Sequence, residues 1–302
     1  MPKGNSFRNN FWSYDLAGRV VLGKVVFVDS GASNASDGND GLSPQTACAT
    51  WDGAIGKCTA NNGDHIILLP GHSETISGAA GVALDVAGIT SIGVGHGAAR
   101  PSFNFTATDS TITISAASNW VENILITGGI DAIVNTVVIS AADCTLKGLT
   151  IRDVTGQMTD SILTTAAADR LHITDFRHEG AAADGGDSAI LLVGGTDVHI
   201  ENFHIVGNFD TGGIESITTA QTQVRINDGY IWNQGGEDLA ISLLTGSTGK
   251  IGPNIDIMLT DNAANVTEAV ACDAAHFFQP IRICNLAGEV ALETNITATT
   301  DA

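Results

Sequence analysis

Between residues 119 and 257 the chain repeats one pattern of apolar and polar positions six times. The plainest copy is Asp143-Cys-Thr-Leu-Lys-Gly-Leu-Thr-Ile-Arg-Asp153, with relatives beginning at Asn119, Asp169, Asp197 and Gln223 and a frayed one at Thr248. Aligned on the first apolar anchor, the copies place Val121, Leu146, Ile173, Ile200, Ile226 and Ile251 at steps of 25, 27, 27, 26 and 25 residues. A period that steady marks a stacked repeat. Each copy reads apolar-x-Gly/Asn/Asp-apolar-x-apolar, the alternation of a half-buried strand. A second apolar run lies between copies: Thr111–Ile114, Thr136–Ile139, Ser161–Leu163, Ala189–Leu192, Gly213–Ile217 and Leu239–Leu243. Every turn therefore holds at least two short strands joined by Gly, Asp, Thr and Ala corners. Stacking pairs each strand in parallel with its counterpart one repeat on and closes a continuous apolar core. The predicted fold is all-β, a single-stranded parallel β-helix with coils of roughly 25–27 residues.

The leucine-rich repeat shares this range of periods. It requires Asn or Cys three residues past the last apolar position, where the clean copies hold Gly129, Val154, Asn208 and Gln234. The intervening segments, rich in Gly, Thr and β-branched residues, are also poor helix formers. The β-helix is the better fit.

At 302 residues one elongated domain accounts for the chain: an arm over 1–23, the β-helix over 24–260 and an irregular closing segment over 261–302. A composition of 35 Gly, 43% hydrophobic and only 5% aromatic residues suits tight corners around an aliphatic core. The net charge of −20, scattered along the chain, argues against nucleic-acid binding. No apolar run approaches a membrane span. Lys3 and Arg8 are followed by no apolar stretch of a secretion signal, so assembly in a cytoplasm with reduced thiols is expected. Cys144 sits within a strand copy as a small buried hydrophobe. Cys48 with Cys58, and Cys272 with Cys284, are the pairings left open.

The arm concentrates Phe7, Phe11, Trp12 and Tyr14 with Lys3, Arg8 and Arg19. Three readings stand: it folds back over the solenoid end, it is disordered, or Phe7, Arg8, Phe11, Trp12 and Tyr14 anchor on a partner as interface hot spots do. Lys24–Val28 is a predicted strand, and 29–41 a turn-rich loop. Asp37, Asn39 and Asp40 resemble part of a calcium loop, but no Glu closes twelve residues. A short amphipathic helix is predicted at about 46–58 with Ala49, Trp51 and Ile55 inward, followed by a strand over 63–71.

The run Val28-Asp-Ser-Gly31, then Ser36-Asp-Gly-Asn-Asp-Gly-Leu-Ser-Pro-Gln-Thr-Ala47, then Gly63-Asp-His-Ile-Ile-Leu-Leu-Pro-Gly71 resembles the opening of the pectin-lyase-like right-handed β-helix superfamily. Pro70-Gly-His-Ser-Glu-Thr-Ile76 is similar to the version in bacteriophage structural proteins, and Gly93-Val-Gly-His-Gly-Ala-Ala-Arg-Pro101 to one of their coil turns. The resemblance implies that the parallel β-helix is right-handed, with a helix covering the N-terminal end and a Gly-Asp strand opening the first full coil. It spans roughly 24–260 and specifies fold more than function.

Stacked coils align equivalent residues in rows. The position before the anchor reads Thr145, His172, His199, Arg225, Lys250, and the one after it Glu122, Lys147, Thr174, Glu201, Asn227. The corner reads Asn123, Gly148, Asp175, Asn202, Asp228, and farther along lie Thr150, Arg177, His204, Tyr230. Asn, Gly and Asp suit bends and can hydrogen-bond along a stack. His172 and His199 are a candidate metal pair weakened by Arg225 next in line. Asp175 and Asp228, two coils or about 9–10 Å apart, could frame a glycosidic bond. Arg152, Arg170 and Arg177 supply basic residues, but no family catalytic motif maps onto the chain. The expectation is a protein without catalytic residues, metal or cofactor: a phage virion component that decorates and cements the outer capsid surface and contacts the major capsid protein, as the homotrimer that the resemblance to phage structural proteins implies. The alternative is a tail-spike or fibre that binds or cleaves host surface polysaccharide.

Overall fold

The six anchors stack in one register: Val121 pairs with Leu146, then Ile173, Ile200, Ile226 and Ile251, all in parallel. The computed structural model describes residues 21–153, 158–180, 185–235, 239–260, 269–272, 276–285 and 290–293, and they form an all-β parallel solenoid of about eight turns. Phe7, Arg8, Phe11, Trp12 and Tyr14 lie outside the described residues.

Each coil carries three strand rows. The anchor row continues upstream through Ser91, Ile66 and Val26. The second row stacks Phe103, Ile126, Ile151, His178, Ile205, Ile231, Ile257 and Ile283. The third is the second apolar run of the sequence, stacking Val82, Ile112, Val137, Ile162, Ile190, Ile214 and Ile241. Inward positions of the three rows merge into one buried core.

The motif yields two strands because its corner residue turns left-handed. Asn123, Gly148, Asp175, Asn202, Asp228 and Asn254 all have φ between 51° and 62°. That region is unfavourable for most side chains and best tolerated by Gly, Asn and Asp. A second left-handed row, Ser118, Asp143, Arg170, Asp197 and Gln223, precedes each anchor by three residues. Here composition is not the signal. The turn is held by the neighbouring coil, as when Arg170 N–H donates to Thr196 O at 2.7 Å and Asp143 N–H to Asp169 O at 2.8 Å.

Both solenoid ends are sheet edges that need partners. At the N-terminal end, Phe27 N–H donates to Gly41 O and Cys48 N–H to Phe27 O. Helix α1 (Trp51–Ile55) lends Asp52, whose Oδ1 accepts from Ala83 N–H at 3.0 Å. The helix is shorter than the 46–58 span read from the sequence, because Cys48 is committed to a parallel bridge with Val28. Thr50 then caps the helix, accepting from Gly53 N–H at 3.0 Å. Trp51 and Ile55 are buried as expected, while Ala49 is half-buried ahead of the helix. The Trp51 indole N–H donates to Ser91 Oγ at 3.1 Å, which accounts for a serine in the anchor column.

Asp64 of the Gly-Asp opening is buried and accepts from Lys24 N–H at 2.7 Å, Thr59 N–H at 2.7 Å and Asn62 Nδ2 at 2.8 Å. At the other end the stacking runs on past 260, where the sequence stops repeating visibly. Ile241 pairs with Val270, Ile251 with Phe278 and Ile257 with Ile283, a further coil inside the segment read as irregular. Val290–Glu293 then pairs antiparallel on Ile281–Asn285 and covers that strand's outer edge. All five cysteines are free. Burial pushes the Cys58 thiol up to about 12, and Cys48 and Cys144 also upward.

Candidate functional site

The outward positions of the first two rows bring the sequence candidates onto one continuous face. His172 and His199 stack almost flat, with centroids 4.9 Å apart and planes 8° apart, the separation that parallel strand spacing imposes. Both Nε2 atoms face one carboxylate: His172 Nε2 lies 2.9 Å from Glu201 Oε1, and His199 Nε2 3.4 Å from Glu201 Oε2. Asn227 Oδ1 is 2.9 Å from His199 Nε2. Arg225 turns aside to Asp197, at 3.3 Å. Donor atoms of His172, His199 and Glu201 all fall within 4.8 Å of one another, so these three residues could hold a metal ion.

Farther along the face, Glu179 takes Arg152 Nε at 2.6 Å and Arg177 Nε at 2.5 Å. Partial burial would raise its pKa, but the two guanidinium groups outweigh this and hold the carboxylate below its ordinary value. His204 packs on Tyr230 with ring centroids 5.0 Å apart. Beyond them Arg282 pairs with Asp256 through two bonds of 2.7 and 2.6 Å. Arg170 does the same with Asp143, at 2.6 and 2.8 Å. Arg100, half-buried, donates to Thr150 Oγ1 at 2.7 Å, to Ile124 O at 2.6 Å and to Gly148 O, tying neighbouring coils together.

The corner row bonds along the stack. Asn202 donates to Asp175, and Asn254 Nδ2 to Asp228 Oδ1 at 2.7 Å. Donation from Asn254 and Asn227 holds Asp228 below the usual carboxylate range, the wrong direction for a general acid at neutral pH. Asp37 and Asp40 of the early loop accept backbone N–H groups of Ala49, Thr50 and Leu42, as turn and cap acceptors.

Two buried titratable groups were not singled out from the sequence. His178 occupies an apolar place in the second row, between Ile151 and Ile205, and donates Nδ1–H to Val206 O at 3.0 Å. Burial pulls its pKa down to about 4. It borders a small recess with Asp153, Met158, Asn208 and Phe209 and several glycines. Asp160, inward on the third row, accepts from Ser188 Oγ at 2.9 Å and is pushed up to about 6 by burial. For His178 the signal was present, a polar residue where the repeat calls for an apolar one; Asp160 stands in a column of Asn135, Ser188 and Gly212, where the sequence gives no such contrast.

No family model, curated protein or solved structure matches the chain at a significant level. What the coordinates define is a class by architecture, the parallel β-solenoid. Among the described residues, no helix is long and apolar enough to cross a membrane.

Proposed function

We propose that the chain is a non-enzymatic structural protein of a phage virion, a decoration or cement protein bound as a homotrimer to the major capsid protein on the outer capsid surface. The observation that carries the reading is the ladder of ion pairs across the exposed face. Arg152–Glu179, Arg170–Asp143, Arg282–Asp256 and Lys147–Glu122 each join residues one coil apart. A single exposed pair contributes little, but several of them tie successive coils from Glu122 to Glu179 and again at Asp256–Arg282, which suits a stiff rod. The viral setting rests on the likeness of the opening segments to phage structural proteins. Two apolar side chains of the first coil are exposed, Leu22 at 83% and Leu42 at 55%. Burying these and the aromatic residues of the arm across a junction between capsid subunits would resist its opening. Removing residues 1–20 tests this: capsid attachment is expected to be lost while circular dichroism still reports a folded β-solenoid. Undiminished attachment of the truncated chain would refute docking through the arm.

The second reading, a spike or fibre that binds surface polysaccharide, is favoured by the His204–Tyr230 platform between Arg177 and Asp256. An aromatic face flanked by charges suits a sugar ring. Saturable polysaccharide binding abolished by Tyr230→Ala would replace the cement reading.

A further inference from the structure

We propose that His172, His199 and Glu201 bind one divalent transition-metal ion, of which Zn²⁺ is the type, and that the ion clips two neighbouring coils together. The site goes beyond the virion role and does not depend on it. Its donors are two imidazole nitrogens and a carboxylate, the set that suits zinc and its neighbours rather than the oxygen-seeking Ca²⁺ or Mg²⁺. They come from adjacent strands, His172 from one coil and His199 with Glu201 from the next.

Convergence is already nearly complete. Zinc bonds of about 2.0–2.1 Å in a tetrahedron place ligand atoms about 3.4 Å apart. The three donor atoms lie within 4.8 Å of one another, and the side chains are 36%, 29% and 32% exposed, so they have room to close the remaining distance. The atoms placed to hold the ion are both Nε2 atoms and one Glu201 oxygen; His172 Nε2 now shares a hydrogen bond with Glu201 Oε1 at 2.9 Å, and His199 Nε2 with Asn227 Oδ1 at 2.9 Å. On binding, the ion takes the place of the hydrogen on each Nε2, and that proton passes to Nδ1 or to solvent.

Electrostatics also permits it. Arg225, next in the column after His199, is engaged by Asp197, and Lys147 lies toward Glu122 at 3.6 Å. Three protein ligands leave a fourth position for water or for the carbonyl of Asn227, already 2.9 Å from His199 Nε2. The site stands on an open strand face, so the consequence of binding is mechanical: a bond across the seam between two coils.

The test uses the full chain, stripped with a chelator and dialysed. Calorimetric titration with ZnCl₂ is expected to give one ion per chain and a higher melting temperature at saturation. His172→Ala and His199→Ala should each weaken binding by more than about a hundredfold, beyond the roughly 10–100-fold that loss of an outer-shell partner costs, and abolish the thermal shift at the metal concentration that saturates the parent. Cys58→Ser and Cys284→Ser should leave it unchanged. Co²⁺ in place of Zn²⁺ should show ligand-field bands without a thiolate charge-transfer band. Absence of saturable Zn²⁺ binding, full affinity in the two histidine variants, or a thiolate band would each overturn the proposal.

Discussion

Replacing His178 with leucine removes the one imidazole that stands in the aliphatic second-row column between Ile151 and Ile205. His178 is buried and neutral, its pKa pulled from an ordinary 6.5 to about 4. Above pH 6.5 it is neutral in both folded and unfolded chains and gives no pH dependence. Between 6.5 and 4 the unfolded chain takes up a proton that the folded chain refuses, so stability falls as pH falls. The gap between the two values corresponds to about 3 kcal/mol at full extent, of which about 2–3 kcal/mol is lost by pH 4.5. His178→Leu abolishes this linkage. It also removes one of the two hydrogen bonds to Val206 O, which keeps the Gly180 N–H at 2.7 Å, at about 1 kcal/mol or less, and adds apolar burial; both are independent of pH. Urea unfolding of both proteins, followed by circular dichroism from pH 7.5 to 4.5, isolates the effect in the difference between them, where all other titrating groups cancel. The variant should gain about 2–3 kcal/mol on the parent over that range. A difference that stays constant with pH would mean that His178 is not buried as a neutral group, and the reasoning fails.

Asp160 carries the opposite sign. Its pKa is raised to about 6, so the folded chain holds a proton the unfolded one has released, and stability falls as pH rises from the ordinary 3.8 through 6. Asp160→Asn, which keeps an acceptor for Ser188, should stabilise the protein by about 1–3 kcal/mol above pH 7, with the gain vanishing near pH 4 in the same urea series. Asp64 is a third case. Burial alone would raise its pKa, but hydrogen bonds led by the Lys24 and Thr59 N–H groups win and lower it, so its support is present at neutral pH and lost as pH falls through the lowered value. Asp64→Ala orphans those two N–H groups, costing about 2–5 kcal/mol. In a solenoid the loss should stay local: hydrogen exchange should quicken in Val25–Val28 and His65–Leu68 but not in Val224–Asn233.

The core of this fold is legible because the repeat is local. Val121 to Ile251 can be aligned by eye, and the second apolar run marks the third row without any knowledge of contacts. The division of the motif into two strands was legible at Asn123 or Asp175, whose side chains favour left-handed turns, whereas the turn before each anchor was not legible at Arg170 or Gln223, whose N–H groups are held on the neighbouring coil by Thr196 O and Thr248 Oγ1. The ends were least legible. The short helix was read with Trp51 and Ile55 inward but at more than its true length, while Ser91 in the core and the extra coil past 260 depend on pairings such as Trp51 with Ser91 and Ile257 with Ile283, which leave no periodic trace. On the exposed face the row order placed His172 beside His199, and the sequence reading set Arg225 against them. The direction of Arg225 toward Asp197, and of Glu201 toward both imidazoles, is a matter of side-chain geometry that row order does not carry.

The proposed virion role is tested most directly by the number of copies of this chain in purified particles, measured by quantitative gel densitometry against the major capsid protein. Stoichiometry comparable to that of the capsid protein is the predicted result. A few trimers per particle would point instead to a spike or fibre and move attention to the His204–Tyr230 platform. Absence of the chain from particles would contradict the account.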